Sequence, residues 1–409
     1  MFGRIVLASS LVACSALPTP PDPPAAGTAG TSASCRPATP CPACPLCIPP
    51  KPVPVEATYK ETSWAEIPGW GQTVLLPSLQ AFVAGCARVE SRAPWQPACA
   101  DAGKLPEQEP AARNFFESRF AAYRIVAPDG RDEGLITGYY EPILKGRREQ
   151  EPGFRHPVYA VPDDLVVVDL AELHPELRSL RLRGRLQGRR LVPYGARSEI
   201  ERGTPPIPAR PLAWVADPVE LFFLQVQGSG QIELASGERV RLGFADQNGH
   251  PYRSLGRFLA DRGELKQDQT SMQAIKAWAA ANPDKLQEAL NSNPSYVFFR
   301  ELPPPKGPLD GPPGTLGVPL TPGYSAAVDA RYVPLGAPLY LQTTYPLSDR
   351  PLERLMMAQD TGGAIRGAVR ADFFWGTGED AGAQAGRMRQ QGRVWLLWPR
   401  GQPLPRQQQ

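Results

Sequence analysis

Two aspartates near the C-terminus have the types and neighbours that carboxylate chemistry needs. Asp360 opens the run Asp360-Thr361-Gly362-Gly363-Ala364-Ile365-Arg366-Gly367, and Asp372 lies in Ala371-Asp372-Phe373-Phe374-Trp375-Gly376-Thr377-Gly378. The apolar stretch Leu355-Met356-Met357-Ala358 leads to Asp360 and a glycine pair follows it. That pattern brings a carboxylate to the end of a strand just before a tight turn. Aromatic neighbours at Asp372 would desolvate its carboxyl and raise its pKa, the condition for a general acid. Asp329, in Ser325-Ala326-Ala327-Val328-Asp329-Ala330-Arg331, precedes the strand-like Ala337-Pro338-Leu339-Tyr340-Leu341. Asp and Gly also mark plain turns, so these residues by themselves leave both a carboxylate site and ordinary turn chemistry open.

Composition narrows the chemistry. The chain has only three histidines, His156, His174 and His250, far apart in sequence. A His-based zinc site or a Ser-His-Asp triad is therefore not expected, and neither metal nor cofactor is called for. A net charge of +3, with no Lys/Arg cluster interleaved with aromatics, argues against nucleic acid and suits an anionic polymer. The 409 residues leave room for two domains and tails.

The elements that must position the aspartates read mainly as β. Short apolar segments, Leu135–Tyr140, Val158–Val161 and Leu165–Val168, are punctuated by Pro and Gly, as in barrels rather than βαβ units. Ser78 is placed to cap a helix with Leu79, Phe82, Val83 and Cys86 on one face. A second helix is expected over Asn114–Tyr123. Asp217-Pro218 opens another, with Leu221, Phe222 and Phe223, and Ser271 begins a fourth, with Ala274, Ile275 and Trp278 as its stripe.

The N-terminus has the form of an export signal. Arg4 precedes a short apolar core, too short to span a bilayer, and Leu11-Val12-Ala13-Cys14 matches a bacterial lipobox. Cleavage would leave Cys14 lipidated and N-terminal; Ser15 after it favours the outer membrane by analogy with such lipoproteins. An incidental cysteine after an ordinary signal peptide is the alternative. Residues 15–59 form a Pro-rich linker. Within it lie Cys35, Cys41, Cys44 and Cys47; the last three have the spacing of a metal or iron–sulfur loop, but their surroundings cannot bury a core, so tail disulfides are expected instead. Cys86 and Cys99 bracket a short segment with Pro94 and Pro97, and a local disulfide is the natural pairing in an oxidising compartment.

Several blocks in order resemble the MltA family of lytic murein transglycosylases. They are Thr137-Gly138-Tyr139-Tyr140-Glu141-Pro142, Val226-Gln227-Gly228-Ser229-Gly230, Asn248-Gly249-His250-Pro251-Tyr252-Arg253-Ser254, Asn293-Pro294-Ser295-Tyr296-Val297-Phe298-Phe299 and Gly392-Arg393-Val394-Trp395. With them goes the aspartate region from Val328 to Trp398, which resembles the family's three-aspartate domain. The resemblance implies a six-stranded double-psi β-barrel built from about 60–141 and 305–400. It also implies a second β-barrel inserted at about 142–304, and a groove between the two for a glycan strand. Glu141 departs from the neutral residue expected at its position.

The resemblance also implies a reaction. A muramic acid residue carries its own nucleophile, the C6 hydroxyl, which can attack C1 and give a 1,6-anhydro end without water. One carboxyl then suffices, acid first and base second. Asp372 matches the catalytic position; Asp360 would keep its pKa high or orient it, and is the competing choice of acid. Thr137 and Tyr139 match residues that contact sugar, and Gln227, Gly228 and Ser229 would add donors for N-acetyl groups. Peptidoglycan glycan strands, a membrane reached through the lipid, and cell-wall synthesis or division complexes are the implied partners. A murein-binding lipoprotein without activity, or a hydrolase using both aspartates, are the rival readings.

Overall fold

The computed structural model describes residues 56–407 except 175–176, 178–179, 181, 204–205, 268, 306 and 308–309. Cys14, Cys35, Cys41, Cys44 and Cys47, with the signal segment and nearly all of the linker, lie outside the described residues.

The strands that carry the aspartates close on themselves. They are β1 (Thr58–Thr62), β2 (Phe120–Val126), β3 (Gly134–Glu141), β13 (Ser325–Val328), β14 (Pro338–Thr344), β15 (Pro351–Asp360), β16 (Ala371–Thr377) and β17 (Arg389–Pro399). Their order is β1-β2-β17-β14-β15-β13-β16-β3, and β17 pairs again with β3. The eleven-residue β17 makes this possible: Arg389–Gly392 faces β3, Arg393–Leu396 faces β14, and Trp395–Pro399 faces β2. Six strands thus form a ring, with β13/β15 and β3/β16 as its parallel pairs, the strand count and pairing of a double-psi barrel. Full closure removes the exposed edges that an open sheet would present.

Apolar runs in these strands are buried on both faces because a helix covers the ring outside. Helix α1 (Leu76–Val89) packs its Leu79, Phe82 and Cys86 inward, and Val83 is exposed. The helix starts before Ser78, so Ser78 is no cap: its buried hydroxyl donates instead to the Leu355 carbonyl of β15, 2.7 Å away. Cys99 lies on α2 (Gln96–Ala102), and its sulfur is bonded to that of Cys86. Closing a loop of about fifteen residues contributes roughly 3 kcal/mol in the chain-entropy model. Helix α3 (Glu109–Arg119) ends earlier than the sequence suggests, and Phe120–Tyr123 belongs to β2. Tertiary pairing with β1 and β17 overrides the local helical pattern there.

The intervening chain builds a second sheet. Its strands are β4 (Ile143–Arg147), β5 (His156–Tyr159), β9 (Pro211–Val215), β10 (Ser229–Glu233), β11 (Arg239–Gln247) and β12 (Val297–Leu302), in the order β12-β11-β10-β4-β9-β5. A bridge from Ala160 to Phe299 joins the two ends. Leu144, Val158, Leu224, Ile232, Leu242 and Phe299 fill its core. The three short strands β6 (Val166–Val167), β7 (Arg183–Gln187) and β8 (Arg190–Pro193) form a separate sheet. Helix α4 (Arg197–Arg202) follows them. Helix α5 (Pro218–Gln227) is capped by Asp217, whose carboxylate accepts from the Val219 and Glu220 amides, and α7 (Met272–Ala281) by Ser271. With α6 (Leu255–Asp261) and α8 (Pro283–Asn291), α5 and α7 make a small apolar cluster of their own. The last helix is α9 (Glu379–Ala385), which packs beside Tyr140. Among the described residues no helix is long and apolar enough to cross a membrane.

Candidate active site

Barrel pairing sets the aspartates on one rung. Asp360 is the last residue of β15 and stands opposite Ala327 of β13; Ala327 also stands opposite Asp372 of β16, and Asp372 opposite Thr137 of β3. Asp360 and Asp372 therefore flank β13, two strand spacings or roughly 10 Å apart at the backbone. Residues from opposite ends of the chain meet here only because the ring closes.

The wall around them is apolar. Tyr139, Leu320, Ala327, Ile365 and Phe374 form one buried cluster. Side chains alternate along a strand, so Phe374 shares a side of β16 with Asp372, while Phe373 and Trp375 pack on each other across the other side, 4.7 Å apart. Of the three aromatics that follow Asp372 in sequence, one therefore faces the site. Gly138 is required between Thr137 and Tyr139: a Cβ there would lie 2.5 Å from the Trp375 ring nitrogen.

Both carboxylates keep a face toward solvent yet are enclosed on their other sides, and burial pushes both above the usual carboxylate range. At Asp372 burial is opposed by the Arg370 charge and by the Thr137 hydroxyl, while the Asp360 charge adds to it. Thr137 Oγ1 donates to Asp372 Oδ1 at 2.5 Å. Arg370 Nη2 in turn donates to Thr137 Oγ1 at 2.8 Å, with Nη1 held by the carbonyls of Leu135 and Ala371. A guanidinium thus fixes the rotamer that points the threonine proton at the carboxylate. Asp360 is held differently: its Oδ1 accepts from the Thr315 amide (2.9 Å), the Thr315 hydroxyl (2.8 Å) and the Thr361 amide (2.9 Å).

Arg370 and Thr315 were not legible from sequence. Arg370 has one signal, its place two residues before Asp372, which puts both on the same side of a strand. Arg366, the basic residue of the loop after Asp360, is exposed and forms no ion pair among the described residues. Thr315 lies in a Pro/Gly-rich connection and reaches Asp360 only through the fold. Asp329 is 2% exposed; burial would raise its pKa, but Arg331 and the Gly367 amide hold it below the ordinary value. It ties the end of β13 to the loop after Asp360, a structural task.

Tyr139 does not offer its ring face to a sugar. It is 8% exposed, its ring packs on Phe374 at 5.1 Å, and burial drives its hydroxyl pKa well up. That hydroxyl lies near the Asp360 carboxylate without reaching hydrogen-bond geometry to a partner. The sugar contact that the resemblance implies for Tyr139 is not open to its ring, because β3 is an interior strand of the barrel at this point. Thr137 stands beside Asp372, as described. Gln227 Oε1 accepts from the Tyr140 amide at 3.0 Å, which sets the C-terminus of α5 against β3. Gly228 caps that helix with φ +77° and open space beside it, and the mostly buried Ser229 begins β10.

Glu141 has a definite place. It is 1% exposed, and its Oε2 accepts from Gln231 of β10 (2.8 Å) and from Thr377 of β16 (2.7 Å). The chain passes from β3 to β4 through Pro142 alone, whose carbonyl accepts from the Gln231 amide. The carboxylate therefore fastens the two sheets together at their crossing. Among the described residues no group of three or more His, Cys, Asp or Glu side chains could hold a metal ion.

Two family models match this chain: the MltA specific insert domain over residues 135–300 and the 3D domain over residues 324–398. Membrane-bound lytic murein transglycosylase A of Escherichia coli is 33% identical over 294 residues, 70% of this chain and 71% of that one. The crystal structure of MltA from Neisseria gonorrhoeae superposes with a TM-score of 0.75 at 42% identity, covering 86% of this chain and 95% of that one. That of E. coli MltA with bound chitohexaose superposes with a TM-score of 0.64 at 27% identity, covering 83% and 94%. With these matches and the rung of aspartates in a closed barrel, the chain belongs to the MltA family of lytic murein transglycosylases.

Proposed function

We propose that this enzyme, a peptidoglycan lytic transglycosylase, cleaves the β-1,4 bond between N-acetylmuramic acid and N-acetylglucosamine with formation of a 1,6-anhydromuramic end. Asp372 acts alone as acid and then base. Its proton goes to the departing N-acetylglucosamine oxygen as the C1–O bond breaks; the carboxylate then takes the proton of the C6 hydroxyl as that oxygen bonds to C1. The number of protons on Asp372 is the same before and after, and no water is consumed. The observation that carries this reading is the enclosed Asp372 carboxyl, pushed up by burial and oriented by Thr137. Three donors hold Asp360 through its Oδ1, which suits an orienting role; a two-carboxylate hydrolysis would have to use its other oxygen to activate water.

The glycan strand would lie between a catalytic barrel of about 60–141 and 305–400 and an inserted barrel of about 142–304. Thr137 and the Gln227-Gly228-Ser229 turn would line that passage, and Tyr139 would support it from within the wall. Muropeptides released from sacculi should be lighter by one water than those a muramidase releases. Incorporation of heavy oxygen from labelled water at the new end would sink the reading.

We also assign the enzyme to the periplasmic face of the outer membrane, held by lipid on Cys14 and within reach of cell-wall synthesis or division complexes. The lipobox Leu11-Val12-Ala13-Cys14 motivates this. Cys14→Ala should move the protein from the membrane fraction to the soluble periplasm with its turnover intact. Unchanged fractionation would mean that something other than this lipid retains it.

A further inference from the structure

The small sheet of β6, β7 and β8 has a surface that neither barrel uses. Its root is fixed: Arg183 Nε donates to both oxygens of Asp246 on β11, at 2.8 and 3.0 Å. Beyond that root the β7–β8 hairpin projects an apolar and cationic tip. Leu186 and Leu191 are paired across the strands and are 65% and 45% exposed. Directly opposed residues share one side of a hairpin, so the two leucines make a continuous patch rather than isolated surface side chains. Arg185 and Arg190, each next to a leucine along its strand, point to the other side of the hairpin, and Arg189 sits in the turn at its tip; all three are exposed and without an ion pair or side-chain hydrogen bond among the described residues.

That combination has a chemical complement. Free guanidinium groups pair with phosphate in two-pronged geometry, and leucine side chains gain by entering the boundary between lipid headgroups and acyl chains. A murein strand offers neither in that form: pyranose faces are met by aromatic rings, and the segment from Arg183 to Pro193 contains none. We propose that the β7–β8 hairpin docks on an anionic phospholipid surface. It is a second membrane contact, which sets how the catalytic unit faces the bilayer; retention by a lipid on Cys14 is a separate matter. Neither the reaction at Asp372 nor the lipid is needed for this contact.

The test uses the full chain carrying Cys14→Ala, so that no lipid anchor is present, and vesicles of phosphatidylglycerol with phosphatidylethanolamine. The protein should sediment with these vesicles at low salt and be released as salt is added, because exposed charges are screened. Phosphatidylcholine vesicles should retain far less. The added changes Leu186→Gln, Leu191→Gln, Arg189→Gln and Arg190→Gln should weaken binding about tenfold or more, given the usual contribution of each basic residue near an anionic surface. Their turnover on sacculi should be unchanged, which shows that the variant is folded and keeps this contact apart from the catalytic reading. Absence of sedimentation at low salt, equal binding by the four-site variant, or equal binding to phosphatidylcholine would each overturn the proposal. So would hairpin-dependent sedimentation with purified sacculi and not with vesicles, which would make the wall the partner.

Discussion

Asp372→Asn should leave glycan binding near normal and turnover beneath detection in an ordinary assay. The amide fills the same space and can still accept from Thr137, but it supplies no proton of suitable acidity and accepts none. Each acid or base step so lost is worth about 10²–10⁴-fold, and in the proposed reaction one residue serves both. The variant should also be more stable than the parent at neutral pH. The folded-state pKa of Asp372 is raised by burial, so the folded state favours the protonated form. Its contribution to stability is then fully present below the unfolded-state pKa and is lost as pH rises through the folded one. Asparagine does not ionise and escapes that loss. Turnover, chitooligosaccharide affinity and the neutral-pH unfolding midpoint, measured together, decide the point. Near-normal turnover in this variant, or an Asp360→Asn enzyme that is the less active of the two, would transfer the acid's role.

The pH profile should move in opposite directions in two further variants. The acid must be protonated when substrate arrives, so the rate falls on the alkaline side as pH rises through the Asp372 pKa. Burial is the main reason that value is high; the Asp360 charge raises it further and the Arg370 charge lowers it. Asp360→Asn removes a like charge, and its alkaline limb should shift to lower pH. Arg370→Gln removes an opposite charge, and its limb should shift to higher pH. Moving the limb by about one pH unit changes the rate measured on it roughly tenfold. Both variants should keep most of their activity in the acid range, where Asp372 is protonated in all three proteins. No displacement in either variant would show that neither charge acts on Asp372, and displacements of the same sign would show that the two charges do not oppose each other there. A loss of rate uniform across pH in Arg370→Gln would confine that residue to holding Thr137.

What the sequence determined by itself is local. Asp217 and Ser271 cap helices because a side-chain oxygen reaches an amide two or three residues on, whatever the rest of the chain does. Asp360 ends a strand because an apolar run stops there before a glycine pair. The β-rich character, and the blocks that mark the family, are likewise carried by residues near one another in the chain.

The tertiary structure decided whatever depends on register between distant strands. Ser78 looks like a cap, but a carbonyl of β15 sits beside its hydroxyl and the helix begins earlier. Phe120–Tyr123 continues a helical pattern, and the ladders with β1 and β17 outweigh it. Tyr139 matches a position that contacts sugar, yet the strand that bears it lies within the ring and turns its face onto Phe374. The two arginines of this region are told apart in the same way: Arg366 stands on a loop in solvent, while Arg370 is drawn against Thr137 by the pairing of β3 with β16. Composition and spacing can place a carboxylate at the end of a strand. Only closure of the barrel, joining residues more than two hundred positions apart, surrounds that carboxylate with the apolar wall and the hydroxyl that raise and orient it.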